Sequence, residues 1–281
     1  MRSRFDSEIV RAGLVTSDQR WSGVEFHPAI GSTNDRAREL ATDTGQPWRI
    51  VLTDHQTGGR GRLGRSWQVP DRASIAVSVI VPIADPATAG WVPLLAGLAL
   101  ERAIGEVTHG AGASLHATLK WPNDVLIADD GNRKVSGILC ELVPVDGGHG
   151  VVVGTGVNVH QTREELPVET ATSLELCGAR IRREDLVVAY LRHLARLLEP
   201  LGSDSDAVRS QALEGGRAAY VAACSTVGAM VRIHLPLGEI AEGSASGIDS
   251  SGGLVVDTPQ GRRTFAAGDV VHVRRRPGGL A

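Results

Sequence analysis

A chain of 281 residues with 42% hydrophobic and 22% charged content can bury a sizeable core, which argues against disorder. Its formal net charge of −3 offers no global field for nucleic acid or an anionic membrane, so neither is an expected partner. No apolar run approaches the ~20 residues that span a bilayer, and the opening Met1-Arg2-Ser3-Arg4-Phe5 leads into polar residues, not a secretory apolar region, so a cytoplasmic location is expected.

Cys140, Cys177 and Cys224 contain no C-x-x-C pair and the nine histidines no H-E-x-x-H pair, which predicts buried free thiols and no structural metal. Residues 1–26 are polar apart from Ile9, Val10 and Leu14, which suit one short helix. They read as an extension, too short for a three-helix DNA-reading unit and dispensable over residues 1–20. From Phe26 strand and helix signals alternate. Ser32-Thr33-Asn34 offers N-cap side chains to a helix carrying Ala37, Leu40 and Ala41 on one face, and Arg49–Thr53 reads as a strand.

After a Gly/Arg loop, Ser74–Val81 is a second strand in which Ala76, Ser78 and Ile80 alternate with Ile75, Val77, Val79 and Val81. A helix follows through Leu94, Leu95, Leu98, Ala99 and Ala103, with Arg102 on the face leaving the core. Strands are expected around Leu119, over Val125–Ile127, and as a hairpin of Val135–Val143 and Val151–Val159 about the turn Asp146-Gly147-Gly148. Asp185–Leu198 is an amphipathic helix whose arginines form a solvated face. From about Ser225, five short strands ending in Val270–Arg274 have the rhythm of a small β-barrel.

The loop Gly58-Gly59-Arg60-Gly61-Arg62-Leu63-Gly64-Arg65-Ser66-Trp67 is the most informative stretch. Gly59, Gly61 and Gly64 match G-x-G-x-x-G, with Asp85 roughly 20 residues on, and Gly59–Ser66 approximates a P-loop with Arg65 for its lysine. Both patterns require a helix next, whereas Pro70 and a strand follow. What remains is glycine backbone, arginine forks and the flat ring of Trp67, a combination suited to a polyanion with a planar group. A solvated basic loop is the bland alternative, disfavoured because Arg60, Arg62 and Arg65 would repel one another without an anion to share.

A second cluster, Lys120-Trp121-Pro122-Asn123-Asp124 with Lys134 beyond it, offers phosphate or carboxylate partners and a carboxylate for Mg²⁺ or an amine. Read alone it is equally a turn with solvated strand ends. Gly154-Thr155-Gly156-Val157-Asn158 sets glycines inside a strand, marking either close approach of a ligand or backbone, or a bulge.

Together, Gly31-Ser32-Thr33-Asn34, Gln56 with the loop through Trp67, Lys120–Asp124, Lys134-Val135-Ser136-Gly137-Ile138-Leu139 and Gly154–Asn158 resemble the biotin-protein ligase family in order and separation. The resemblance implies an α+β fold, a mixed sheet flanked by helices related to class II aminoacyl-tRNA synthetases, over residues 27–224, then a small β-barrel and tail over 225–281. It also implies biotin and ATP as substrates with Mg²⁺, and transfer of biotin to a lysine of a biotin carboxyl carrier protein. By the same resemblance Ser32, Thr33, Asn34 and Gln56 line the biotin ring pocket, and Arg60, Gly61 and Arg62 close over biotin and phosphate. Arg65, Lys120, Trp121, Asn123 and Gly137 lie along the ligands, Trp67 orders the adenylate, and Asn158 contacts its phosphate side. Lys134 and Arg62 act on the phosphoryl oxygens, and Asp124 faces the acceptor amine or the metal. Gly58 stands where the family usually has alanine. A lipoate or octanoate ligase, a DNA-binding biotin sensor and a non-catalytic binder are the competing readings.

Overall fold

The computed structural model describes residues 2–272 except 15–19, 45, 68–69, 236–238 and 267. Its larger sheet has seven strands in the order β1-β2-β3-β7-β6-β5-β4. These are β1 (Gly23–His27), β2 (Arg49–Thr53), β3 (Ser74–Ile83), β4 (Ala117–Lys120), β5 (Asp124–Ile127), β6 (Arg133–Val145) and β7 (Gly148–Asn158). Only β1 and β2 pair in parallel, which makes the sheet mixed. β3 and β7 lie at the centre and are buried on both faces, as expected of a β-branched run covered from two sides.

Alternation along the strands assigns the two faces. Val51, Ile80, Val143 and Val152 pack under Ala37, Leu40 and Ala41 of α2 (Thr33–Thr44). Ile50, Leu52, Val79, Val151 and Val153 belong to the main core with α3 (Val92–Gly110) and α4 (Arg183–Leu198). α2 covers one end of its face. Its first turn reaches the row Ser78–Gly154–Leu139, and the row Ala76–Gly156–Gly137–Asp124 beyond remains for other groups.

The hairpin of β6 and β7 turns at Asp146-Gly147, with Gly147 at φ 77°, as the turn residues predicted. A helix absent from the sequence reading, α5 (Asp206–Ala223), carries the chain to the second sheet, and its Gly216 seats it close on Leu95. Gly and Arg interruptions weaken its apolar period, so tertiary packing, not pattern, specifies it. The second sheet is antiparallel in the order β11-β10-β9-β8-β12. Its strands are β8 (Met230–His234), β9 (Ile240–Ile248), β10 (Leu254–Thr258), β11 (Gly261–Phe265) and β12 (Asp269–His272). The expected continuation of the last strand to Arg274 lies outside the described residues.

Residues 1–20 are expected to be dispensable, yet the described part of this segment is packed into the fold. Helix α1 (Ser7–Leu14) buries Val10 and Leu14 in the main core, with Phe5 stacked on Phe26 at 5.6 Å. A Cβ on Gly13 would lie 2.9 Å from Val188 Cγ2, so the two helices touch there. Beneath this segment Arg183 Nη1 donates to Asp54 Oδ1 at 2.6 Å, with the side chains only 2% and 6% exposed. Arg183 also donates to Ser3 O, and Asp54 Oδ2 accepts from Phe5 N. Apolar content is sparse here because much of the attachment is by hydrogen bonds to a buried ion pair, which no periodicity shows.

The thiols of Cys140, Cys177 and Cys224 are free, but only Cys224 is buried; the other two are half-buried. Among the described residues no helix is long and apolar enough to cross a membrane.

Candidate active site

The rows of the sheet beyond the body of α2 form the floor of a cavity of about 890 Å³, roofed by the Gly/Arg loop and closed on one side by β12. Ser32, Thr33, Asn34, Gln56, Arg60, Gly61, Arg62, Arg65, Trp67, Lys120, Trp121, Asn123, Asp124, Lys134, Gly137 and Asn158 all line it. Register explains the floor. Ala76, Gly156, Gly137 and Asp124 are directly opposed across β3, β7, β6 and β5, so they share a face. A Cβ on Gly156 would come within 2.6 Å of the Trp67 ring, and one on Gly137 within 3.1 Å of Lys134 Nζ. One row along, a Cβ on Gly154 would collide with Asn34 Oδ1 at 1.9 Å. The β7 glycines therefore mark neither a bulge nor a backbone contact. They let the side chains of Asn34 and Trp67 lie flat on the strand.

A bulge does occur in β6. Val125 opposes Ser136 but Leu126 opposes Lys134, leaving Val135 as the extra residue. The slip turns Lys134 onto the face of Gly137 and Asp124, and its Nζ reaches Asp124 Oδ1 at 2.6 Å. Lys134 also lies 5.7 Å from the Trp67 ring centroid. Its backbone is clamped by Thr170 O and Thr172 N at 2.8 Å each.

At the other end of the cavity, Gln56 Oε1 accepts from Thr33 N at 2.9 Å and Thr33 Oγ1 at 3.0 Å, which fixes the side chain in the lining. Ser32 Oγ accepts from Asp35 N at 3.3 Å, the N-cap contact that starts α2. Asn34 is more heavily engaged than the resemblance implied: Oδ1 accepts from Ser78 Oγ, while Nδ2 donates to Leu139 O and Glu141 Oε2. It holds the pocket wall together. Asn158 is similarly committed, donating to Thr172 O at 3.0 Å and accepting from Gln161 Nε2 at 2.8 Å. Trp121 is 1% exposed and donates its indole N–H to Gly252 O at 3.0 Å, so it anchors the second sheet and offers the cavity only ring carbons. In contrast, Trp67 Nε1 is buried with no hydrogen-bond partner among the described residues, a donor suited to a ligand.

The expectation that the loop arginines need an anion to share is corrected. Each has its own wall: Arg60 pairs with Asp35 at 2.5 Å, Arg62 donates to Asn123 Oδ1 at 3.0 Å, and Arg65 pairs with Asp269. Burial pulls the Arg62 guanidinium below its ordinary range, against the nearby charges of Asp124 and Asp269. The lining holds the cations Arg60, Arg62, Arg65, Lys120 and Lys134 and the carboxylates Asp124 and Asp269, with Asp35 pairing Arg60 from outside it. That excess of positive charge suits a bound polyphosphate. Among the described residues no group of three or more His, Cys, Asp or Glu could cage a metal. A lone carboxylate such as Asp124, already paired with Lys134, fits only a Mg²⁺ that would arrive on phosphates and retain its waters.

The sequence reading missed two parts of the lining. Pro167, Val168, Thr170 and Ala171 come from an irregular stretch with no periodic signal. Asp269, Val271 and His272 come from β12, whose alternation buries Val270 and turns Val271 outward, but nothing local says which cavity it faces. His272 Nε2 lies 3.0 Å from Thr226 Oγ1, and burial, then the charge of Lys120, lowers its pKa.

Residues 27–158 match the biotin/lipoate A/B protein ligase family, and residues 226–273 match the biotin protein ligase C terminal domain. The chain is 34% identical to the biotin--[acetyl-CoA-carboxylase] ligase of Mycobacterium tuberculosis, over 98% of each chain. It is 29% identical to the bifunctional ligase/repressor of Bacillus subtilis, over 94% of this chain and 78% of that one. Its structure is similar to the biotin protein ligase from Aquifex aeolicus in complex with biotin and ATP, with a TM-score of 0.71 and 25% identity over 91% of this chain and 100% of that one.

Proposed function

The chain belongs to the biotin protein ligases of the biotin/lipoate A/B protein ligase family, and we propose from that premise which residues carry each half of its ATP-dependent biotinylation reaction. The carrying observation is one continuous cavity with hydrogen-bonding groups at the Ser32/Gln56 end and the Lys134–Asp124 pair under an arginine-rich roof. Ser32 and Gln56 take the ureido group of biotin, which demands donors and acceptors that an apolar lipoyl ring would leave unpaired. Thr33 orients Gln56 and Asn34 braces the wall behind it.

In the first half, a carboxylate oxygen of biotin attacks the α-phosphorus of ATP, the bond to the β-phosphate oxygen breaks, and pyrophosphate leaves. Two anions must approach, so Lys134 and Arg62 act on the carboxylate and phosphoryl oxygens, with Arg60, Arg65 and Lys120 adding field. Asp124 would hold Mg²⁺, which would neutralise further charge when bound. Asn123 aims Arg62 through its 3.0 Å contact. Trp67 packs against the adenylate and donates its free indole N–H, while Asn158 fixes the segment bearing Thr172 beside it.

In the second half, the ε-amine of a carrier lysine attacks the mixed anhydride carbon, AMP leaves and an amide forms. The amine must first lose a proton. Asp124 takes it once phosphoryl oxygens have drawn Lys134 away from their 2.6 Å pairing, a role supported by its contact with Lys134 in the lining. The acceptor is a lysine of a biotin carboxyl carrier domain, and the setting is the cytoplasm, with no DNA partner. Incubating a purified carrier domain with the protein, biotin, ATP and Mg²⁺ tests the reading by mass spectrometry. A biotin adduct on one lysine is expected; pyrophosphate release without an adduct would remove the transfer half.

A further inference from the structure

Arg65 differs from its neighbours in the loop. Arg60 and Arg62 are tied to parts of the larger sheet and its helix, whereas Arg65 reaches across the cavity mouth to Asp269, the first residue of β12 in the second sheet. Asp269 is set there by the close seating of β12 on β8: it opposes His234, and a Cβ on the preceding Gly268 would lie 2.6 Å from Ile233 Cγ2. The second sheet is itself locked to the first by Trp121 and Trp91, whose indole N–H groups donate to Gly252 O and Ser250 O. Asp269 therefore stands on a rigid support, while Arg65 stands on an irregular loop whose bend carries Gly64 at φ 72°.

We infer that Asp269 is a positioning residue that holds the Gly/Arg loop shut over the bound adenylate through Arg65, making the second sheet part of the device that retains the intermediate. The inference rests on the adenylate-forming reading above. Two further facts support it. Burial works against the Asp269 carboxylate, yet the hydrogen bond and charge of Arg65, with Lys120 behind them, hold it below the usual carboxylate range. Asp269 is also the main influence on Arg65, raising its guanidinium pKa by hydrogen bond first and charge second. An Arg65 held in this way is a strut, not a free phosphate ligand. If Arg65 were instead a phosphate ligand, Asp269 would compete with the substrate.

The two roles give opposite signs. The test measures adenylate formation by pyrophosphate release, and adenylate retention by the decay of the enzyme-bound species after isolation, for the unaltered chain, Asp269→Asn, Asp269→Glu, Arg65→Gln and the Asp269→Asn/Arg65→Gln double variant. As the pair is exposed, release from Asp269→Asn should quicken by about two- to five-fold. Asp269→Glu should restore retention, and the double variant should release no faster than the faster single one. Raising salt to ~1 M should quicken release from the unaltered chain towards that of Asp269→Asn, because exposed pairs are screened. Unchanged or slower release from Asp269→Asn, or additive single effects, overturns the inference. Absence of adenylate from the unaltered chain would instead overturn the reading beneath it.

Discussion

Two stretches of this chain without much regular structure are held by arginine–carboxylate contacts, and the solvent around those contacts separates their roles. At the N-terminus, Arg183 and Asp54 are 2% and 6% exposed and bind the backbone of Ser3 and Phe5 as well as each other. In the Gly/Arg loop, Arg60 and Asp35 are 44% and 41% exposed, and Arg65 and Asp269 63% and 37%. A buried pair has no competitor, since nothing replaces a lost partner, whereas an exposed pair is worth little and can open and re-form at small cost. One arrangement fixes the fold; the other is suited to be remade in each catalytic cycle.

The largest expected effect comes from deleting residues 2–14, which removes Phe5, Val10 and Leu14 from the core at about 1.5–3 kcal/mol each and uncovers the buried pair. The truncated chain should be largely unfolded by circular dichroism, and a cooperative transition near that of the full chain would show that the segment is ornamental. Asp54→Asn should cost about 3–5 kcal/mol, because Arg183 is left buried without a counter-charge. A calorimetric midpoint lowered by on the order of 10 °C is expected. A shift as small as that of an exposed pair would erase the contrast between the two regions.

On the functional side, Lys134→Ala should leave the melting transition close to that of the parent while slowing pyrophosphate release on the order of 10²-fold. Adenylation at the parental rate would remove Lys134 from the chemistry. Arg62→Gly should still form adenylate but release it roughly ten- to a hundred-fold faster, since a charge-assisted hydrogen bond of about 1.5–3 kcal/mol is lost and the loop gains another glycine. Bystander labelling of albumin reports the escape, and labelling equal to that by the parent would separate Arg62 from retention.

The smallest effect is in pH. His272 is held below its ordinary pKa of about 6.5 by burial and by Lys120, so the unfolded chain binds more protons as pH falls through that value. Stability supported by neutral His272 is present above this range and is lost as pH falls from about 6.5 towards the folded pKa. His272→Gln should flatten the midpoint-against-pH curve there; an unchanged slope would assign it elsewhere.

The sequence alone determined much. Alternation in β3 and the turn at Gly147 specified the centre of the sheet, because a two-residue period leaves one solution for which face is buried. The Gly/Arg loop was legible because its side-chain chemistry is unusual at that spacing, whereas Lys134 and Asp124 stood out only through the resemblance to a family. Tertiary structure decided the rest. The bulge at Val135 is one residue in a pairing register, invisible in a single strand, yet it turns Lys134 towards Asp124. Asn34 and Trp121 line the cavity and are also braces, because Glu141 and Gly252 meet them from distant segments. Asp269 and Asp54 become important only through arginines 204 and 129 residues away in sequence. Local propensity is written in neighbouring residues, whereas the partner of a charge is fixed by which surfaces the folded core brings together.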